Sequence, residues 1–156
     1  MPAKYLLIGS TGMLGKAFRK AVMDEGNEII GIARSGADIN IDISNADDLR
    51  KTLVEVKPDI IVNTAAIVSL EFCENHPSEA YLINTRPSAI LAEYCRKKGV
   101  YLIHISTDHF YSGDERAKHN EKSAVTLMNE YARTKYLAEK LVETHSDSLI
   151  IRTNIV

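Results

Sequence analysis

Two patterns in this sequence place residues that could do chemistry together. The first is Tyr131-Ala-Arg-Thr-Lys135, which sets a phenol and an ammonium four residues apart. On a helix that is one turn, so both side chains project from the same face. A phenol titrates near pKa ~10 and is a poor acid–base group at neutral pH. A nearby ammonium favours the phenolate and is expected to lower that pKa, as is the positive ring of an oxidised nicotinamide. The same lysine can bond the nicotinamide ribose. Thr107, a hydroxyl residue at the end of a predicted strand, could hold the substrate oxygen during transfer.

The second pattern is the glycine series Gly9, Gly12 and Gly15. It lies between a short apolar run, residues 5–8, and an amphipathic stretch, residues 13–25, with Leu14, Phe18, Ala21 and Val22 on one stripe. Strand, glycine turn and helix are the context that gives such a pattern meaning. Gly9 permits the tight exit from the strand, Gly12 lets backbone approach a pyrophosphate, and Gly15 allows close packing of helix on strand. The helix N-terminus would supply the anion site. A purely structural turn is the alternative.

These residues need a scaffold, and the rest of the chain supplies one. Strands are predicted at residues 5–8, 28–33, 60–63, 100–105 and 149–153, each a short apolar run. Helices are predicted at residues 13–25, 45–56, 77–98 and 129–144. Ser44 is the expected N-cap of the second helix, with Asp47 and Asp48 in its first turn. Pro87 is expected to kink or divide the third, and Gly99 to end it after Arg96, Lys97 and Lys98. Residues 70–76 form a short irregular or helical link. Residues 106–125, with Gly113, Asp114 and Glu115, read as a long functional loop.

Alternating strands and helices imply a Rossmann-type, doubly wound α/β parallel sheet. With the strands counted in that order, the expected arrangement is 3-2-1-4-5, the ligand crevice lying at the carboxyl ends of the first and fourth. Arg34, Ala65, Ala66 and the Ser106-Thr-Asp108 segment all fall at carboxyl ends, beside the glycine turn. Two small alanines leave room for a flat ligand. Arg34 leans the site toward NADP(H) over NAD(H), because an arginine there can meet a 2′-phosphate. A solvated strand-end arginine is the bland reading.

Composition fits one domain over residues 1–156, with 45% hydrophobic and 26% charged residues. A net charge of −2 gives no sign of a nucleic-acid or membrane partner. No leader segment or apolar span is read, and two cysteines, Cys73 and Cys95, are most simply reduced thiols, so a cytoplasmic protein is expected. No metal-ligand spacing is present; His76, His119 and His145 read as surface residues.

The motifs then fall in a known order. The glycine turn, Asp42-Ile43, Pro58-Asp-Ile-Ile-Val-Asn-Thr-Ala-Ala66, Ile83-Asn84, His104-Ile-Ser-Thr-Asp108, Glu121, Asn129 through Lys135 and Ile151-Arg-Thr153 run across nearly the whole chain. Together the chain resembles the extended short-chain dehydrogenase/reductases, most closely the dTDP-4-dehydrorhamnose reductase branch. The resemblance implies reduction of a 4-keto group on a nucleotide-linked deoxysugar with hydride from NAD(P)H. It implies Tyr131 as general acid, Lys135 as its tuner, and Thr107 with Asp108 on the substrate side. It implies cofactor contacts from Gly9, Ser10, Thr11, Gly12, Met13, Leu14 and Gly15, from Arg34, from Asp42 and Ile43 near the adenine, from Ala65, Ala66 and Ile67, and from Tyr131 and Lys135. Asn84 would be a structural or water-relay position.

Relatives of that branch continue into a smaller C-terminal lobe that grips the sugar nucleotide. This sheet is expected to be truncated after its fifth strand and to lack that lobe. The branch usually has Tyr-Val-Phe-Asp-Gly after Ser-Thr-Asp; here His109-Phe-Tyr-Ser-Gly113 stands there, and Ala132 replaces a frequent glycine. His109 could touch ligand or simply pack. A homodimer through residues 77–98 and 129–144 is expected. Two further readings are a regulatory subunit like that of methionine adenosyltransferase, suggested also by Glu74-Asn-His-Pro-Ser78, and an inactive nucleotide-binding fragment.

Overall fold

The computed structural model describes residues 2–111 and 118–154. Gly113, Asp114 and Glu115 of the expected functional loop lie outside the described residues. Six strands are present: β1 (Lys4–Ile8), β2 (Glu28–Ala33), β3 (Ile39–Asn40), β4 (Ile60–Asn63), β5 (Tyr101–Thr107) and β6 (Ser148–Thr153). They form one parallel sheet in the order β3-β2-β1-β4-β5-β6. The helices are α1 (Met13–Asp24), α2 (Ala46–Val56), α3 (Leu70–Asn75), α4 (Pro77–Asn84), α5 (Arg86–Lys98) and α6 (Glu130–Val142).

The central strands are buried on both faces, which is why they read as unbroken apolar runs. Alternation along β1 sends Leu6 and Ile8 to one core, shared with Leu49 and Leu53 of α2 and Leu91 of α5. It sends Leu7 to the other, with Val62 and with Val22 and Phe18 of α1. The doubly wound fold class is thus present.

The expected strand order is corrected. Residues 60–63 pair with β1, through Leu6↔Ile61 and Leu7↔Val62, and do not lie outside β2. The strand outside β2 is Ile39–Asn40, which pairs only through Ile32↔Ile39 and Ala33↔Asn40. Two paired residues are too few to leave a periodic signal. The switch point therefore falls between β1 and β4, whose neighbours run outward in opposite directions.

Four local expectations are settled, of which the Ser44 cap and the surface placement of His145 are corrected. The N-cap of α2 is Asn45, whose side chain accepts from Asp47 N at 3.1 Å and Asp48 N at 3.3 Å; Ser44 N instead donates to Asp42. The 77–98 helix is two helices, divided at Thr85, because Pro87 has no N–H to continue the ladder. Residues 70–76 resolve into α3 with Ser69 as its cap. His145 is buried, its Nε2 2.9 Å from the Val100 carbonyl oxygen. Gly99 ends α5 at φ 66°, as its position predicts.

Cys73 and Cys95 are both free and buried, and desolvation pushes the Cys95 thiol up to about 12. Among the described residues no helix is long and apolar enough to cross a membrane.

Candidate functional site

The glycine turn closes against two strands. Gly9 N donates to Ile32 O at the end of β2, at 2.9 Å, and Gly9 sits at φ 82°. A Cβ there would lie 2.8 Å from Thr64 Oγ1 and 2.9 Å from Ala65 N. A Cβ on Gly15 would lie 2.2 Å from Gly9 O, closer than atoms can approach. Gly12, the N-cap of α1, makes no side-chain cap bond, and the first turn holds no acidic residue. The positive end of α1 is therefore left to meet an anion.

Beside the turn lies a cleft of about 700 Å³. Gly9, Thr11 and Gly12 line one part of it, Arg34, Asp42 and Ile43 another, and Ala65, Ala66 and Ile67 a third. Three separate loops thus meet at one sheet edge, as their carboxyl-end positions predict. Ser44 holds the Asp42 carboxyl below its usual range, with a smaller contribution from the charge of Arg34. Other expected cofactor residues stand differently. Ser10 is buried with its hydroxyl toward Ile32 O, Met13 is 68% exposed, and Leu14 and Gly15 belong to the helix behind the turn.

The phenol and ammonium stand next to this cleft, on α6. Asn129 caps the helix by accepting from Ala132 N at 2.7 Å, and Glu74 Oε1 accepts from Glu130 N at 2.7 Å. Tyr131 and Lys135 are both buried. Lys135 Nζ donates to Ile105 O of β5 at 2.6 Å. Tyr131 shares a buried cluster with Cys73 and Ala80, and Ile67, which lines the cleft, packs against that cluster. The His109 ring meets Tyr131 edge-on, with centroids 5.7 Å apart, in a packing contact.

The expected lowering of the Tyr131 pKa is corrected. Burial raises it, and the hydrogen bond with Thr107 only partly opposes that rise. Lys135 in turn is pushed down to about 8 by burial, with Glu139 opposing. In this state desolvation outweighs the Thr107 bond, and the charges of Cys73 and Asp108 add to the rise. A raised phenol stays protonated at neutral pH, which suits a proton donor.

Thr107 is buried at the end of β5, its Oγ1 accepting from His109 N at 3.2 Å. Asp108 lines a second cavity of about 600 Å³ with Tyr111, His119 and Arg152. His104, three residues before Thr107 on β5, has its Nδ1 3.3 Å from Asn63 Nδ2. The amide can only donate there, since Asn63 Oδ1 accepts from Ala65 N. Burial first, then the charge of Lys135, hold this imidazole well below its usual pKa, so it is neutral.

Of the two roles expected for Asn84 the structural one fits, because each polar atom of its amide is bonded to protein. Other structural residues of the site escaped the sequence reading. Glu139, buried on α6, takes a bidentate bond from Arg152, at 2.9 and 2.7 Å. Gly31 lets β2 pass the turn, since a Cβ there would lie 2.5 Å from Ser10 Cβ. Its signal was present, a glycine interrupting an apolar strand.

Sheet order and glycine turn together define a Rossmann-like α/β domain of the dehydrogenase/reductase class. Residues 3–156 match the model of the RmlD substrate binding domain, and the chain belongs to that family. It is 32% identical over 152 residues to the dTDP-4-dehydrorhamnose reductase of Shigella flexneri, covering 97% of this chain and 50% of that protein. With the reductase of the same name from Escherichia coli (strain K12) the identity is 33%, over the same shares. The fold matches the crystal structure of dTDP-4-dehydrorhamnose reductase from Bacillus anthracis str. Ames in complex with NADP, with a TM-score of 0.87 and 27% identity. That match covers 97% of this chain and 53% of the other. The chain spans about half the length of the relatives it matches.

Proposed function

We propose that this chain is the dinucleotide-binding and proton-donating part of a nucleotide-sugar 4-ketoreductase. One observation carries the reading. Ile67 joins the wall of an anion-ready, glycine-built cleft to a buried tyrosine that is bonded to Thr107 and followed one turn later by Lys135.

The residues present fit a nicotinamide dinucleotide. Gly12 and the uncapped start of α1 receive the pyrophosphate, and Gly9 and Gly15 keep the turn free of Cβ atoms that would block it. Arg34 stands where the adenosine ribose falls and favours a 2′-phosphate, with Asp42 and Ile43 at the adenine. Ala65, Ala66 and Ile67 border the path toward Tyr131. When bound, the dinucleotide supplies a hydride to the keto carbon.

The chain's own part is the proton. The Tyr131 phenol, kept protonated by burial, donates it to the oxygen that gains charge. The Thr107 hydroxyl, already bonded to Tyr131, holds that oxygen, and Asp108 follows it on the substrate side. Lys135 keeps a positive charge behind the phenol and is placed by its bond to Ile105 O. Relatives that are named dTDP-4-dehydrorhamnose reductases support the substrate class.

Calorimetric titration with NADPH and NADH tests the cleft first. NADPH is expected to bind more tightly, and binding of neither sinks the dinucleotide reading. Oxidation of NADPH by a dTDP-4-keto-6-deoxysugar tests the chemistry. Tyr131→Phe is expected to lower that rate by about 10²–10⁴-fold with dinucleotide affinity retained; an unchanged rate removes Tyr131 from its role.

A further inference from the structure

Thr134 lies between Tyr131 and Lys135, yet nothing in the proton step uses it. It is wholly buried, and its hydroxyl makes two bonds. Thr134 Oγ1 donates to Tyr131 O at 2.8 Å and accepts from Asn84 Nδ2 at 3.1 Å. Asn84, itself 1% exposed, spends the rest of its amide on one residue of the cleft wall. Its Oδ1 accepts from Ile67 N at 2.7 Å and its Nδ2 donates to Ile67 O at 3.0 Å. Next in sequence, Thr85 Oγ1 donates to Thr134 O at 2.8 Å.

Asn84 ends α4 and Thr85 joins it to α5, and both side chains meet α6 at Thr134. The result is an unbroken chain of bonds, from Ile67 in the cleft through Asn84 and Thr134 to the backbone of Tyr131. The side chain of Ile67 also packs against the cluster that holds Tyr131. Buried bonds of this kind have no competing water, so their geometry is firmly set.

We infer that Thr134 and Asn84 are positioning residues that couple the cleft wall to the proton-donating tyrosine. Occupation of the cleft at Ile67 and the placement of the Tyr131 phenol are then linked through the Thr134 hydroxyl. The inference rests on reading the cleft as a dinucleotide site and Tyr131 as the donor.

The test uses the full chain with tyrosines labelled at the ζ carbon, Tyr131 being assigned by its loss in Tyr131→Phe. Thr134→Val removes the hydroxyl at nearly constant volume; Thr134→Ser keeps it. In Thr134→Val the Tyr131 resonance of the ligand-free protein is expected to move, its pH titration to shift, and the NADPH Kd to rise about tenfold. Thr134→Ser is expected to restore all three. A folded Thr134→Val with a lowered Tm but the wild-type Tyr131 resonance and titration overturns the inference, since a merely structural threonine would behave so. Should Thr134→Val not fold, Asn84→Asp removes both amide N–H donors and is read in the same way. If wild-type protein binds neither NADPH nor NADH, the cofactor reading fails, while the ligand-free resonance still decides the bridge.

Discussion

The cleft and the α6 face beside it are built by opposite means. The cleft is made of what is missing: side chains at Gly9, Gly12 and Gly15, and bulk at Ala65 and Ala66. Its working groups are backbone N–H and a helix end. The α6 face is made of buried polar side chains, with Tyr131 and Lys135 tied to β5, Thr134 to α4 and Glu139 to β6. A seat for a charged, variable-length ligand can stay open and rely on backbone. A proton donor must be held to a fraction of an ångström in a dry setting, and that requires long-range bonds.

The largest expected effect breaks the first region. In Gly15→Val the new Cβ meets Gly9 O at 2.2 Å, so α1 must move off β1. Dinucleotide binding is expected to disappear from calorimetry, with stability lowered by several kcal/mol in denaturant titration, at least the ~1–3 kcal/mol typical of overpacking. A variant that binds as well as wild type would show that the turn is not the anion seat.

The second region breaks next, through Arg152→Met. Glu139 is 1% exposed and is left without its bidentate partner. Removing one member of a buried pair is expected to lower stability by about 3–5 kcal/mol. Replacing both, in Glu139→Gln with Arg152→Met, is expected to recover most of that loss. Urea unfolding of the three proteins checks the order, and a double variant no better than the single one would argue against a stranded charge.

These two regions also differ in how far the sequence showed them. The glycine spacing, the alanines after β4 and Arg34 all sit next to one another or at strand ends, so local pattern was enough to place them in one cleft. Tyr131 and Lys135 were found by their spacing of four. What spacing could not show was that burial raises the phenol's pKa, because exposure depends on Ile67, Cys73 and Ala80 arriving from other elements. The contacts of Asn84 with Thr134 and of Glu139 with Arg152 span 50 and 13 residues and carry no local mark. The strand order failed for a related reason. Only the two-residue β3 betrays that the chain crosses back over β1 before β4.

A smaller effect, and one that sharpens the contrast, is the pH dependence of the buried ammonium. Burial lowers Lys135 from its ordinary value of 10.5 to about 8 in the folded chain. Between those values the unfolded chain holds a proton that the folded chain does not, so this group's contribution to stability rises with pH from about 8 to 10.5. Below about 8 the lysine's burial costs its full amount, on the order of 3 kcal/mol. Lys135→Met removes that dependence. The difference between wild-type and Lys135→Met unfolding free energies is expected to shrink from pH 8 to 10.5, Lys135→Met being the more stable at pH 7. Comparing the two proteins cancels the titration of tyrosines and cysteines in the same range.

Arg34→Ala should have the smallest effect and the narrowest one. Arg34 is exposed and its partner on the protein is a Coulombic one, Asp42, so its removal leaves no buried group unpaired. Folding stability is expected to change by under ~0.5 kcal/mol, as for other surface substitutions. What changes is selectivity. A charge-assisted bond to a 2′-phosphate, partly screened by solvent, is worth about 1–2 kcal/mol, or roughly a tenfold rise in the NADPH Kd. The NADH Kd should stay put, since its 2′-hydroxyl offers Arg34 no charge to meet. Asp42 pulls the other way, its carboxylate opposing any phosphate nearby, so Asp42→Asn should tighten NADPH while leaving NADH unmoved. Equal losses for both dinucleotides in Arg34→Ala would place Arg34 on the shared pyrophosphate or adenine, and selectivity would then have to come from elsewhere in the cleft.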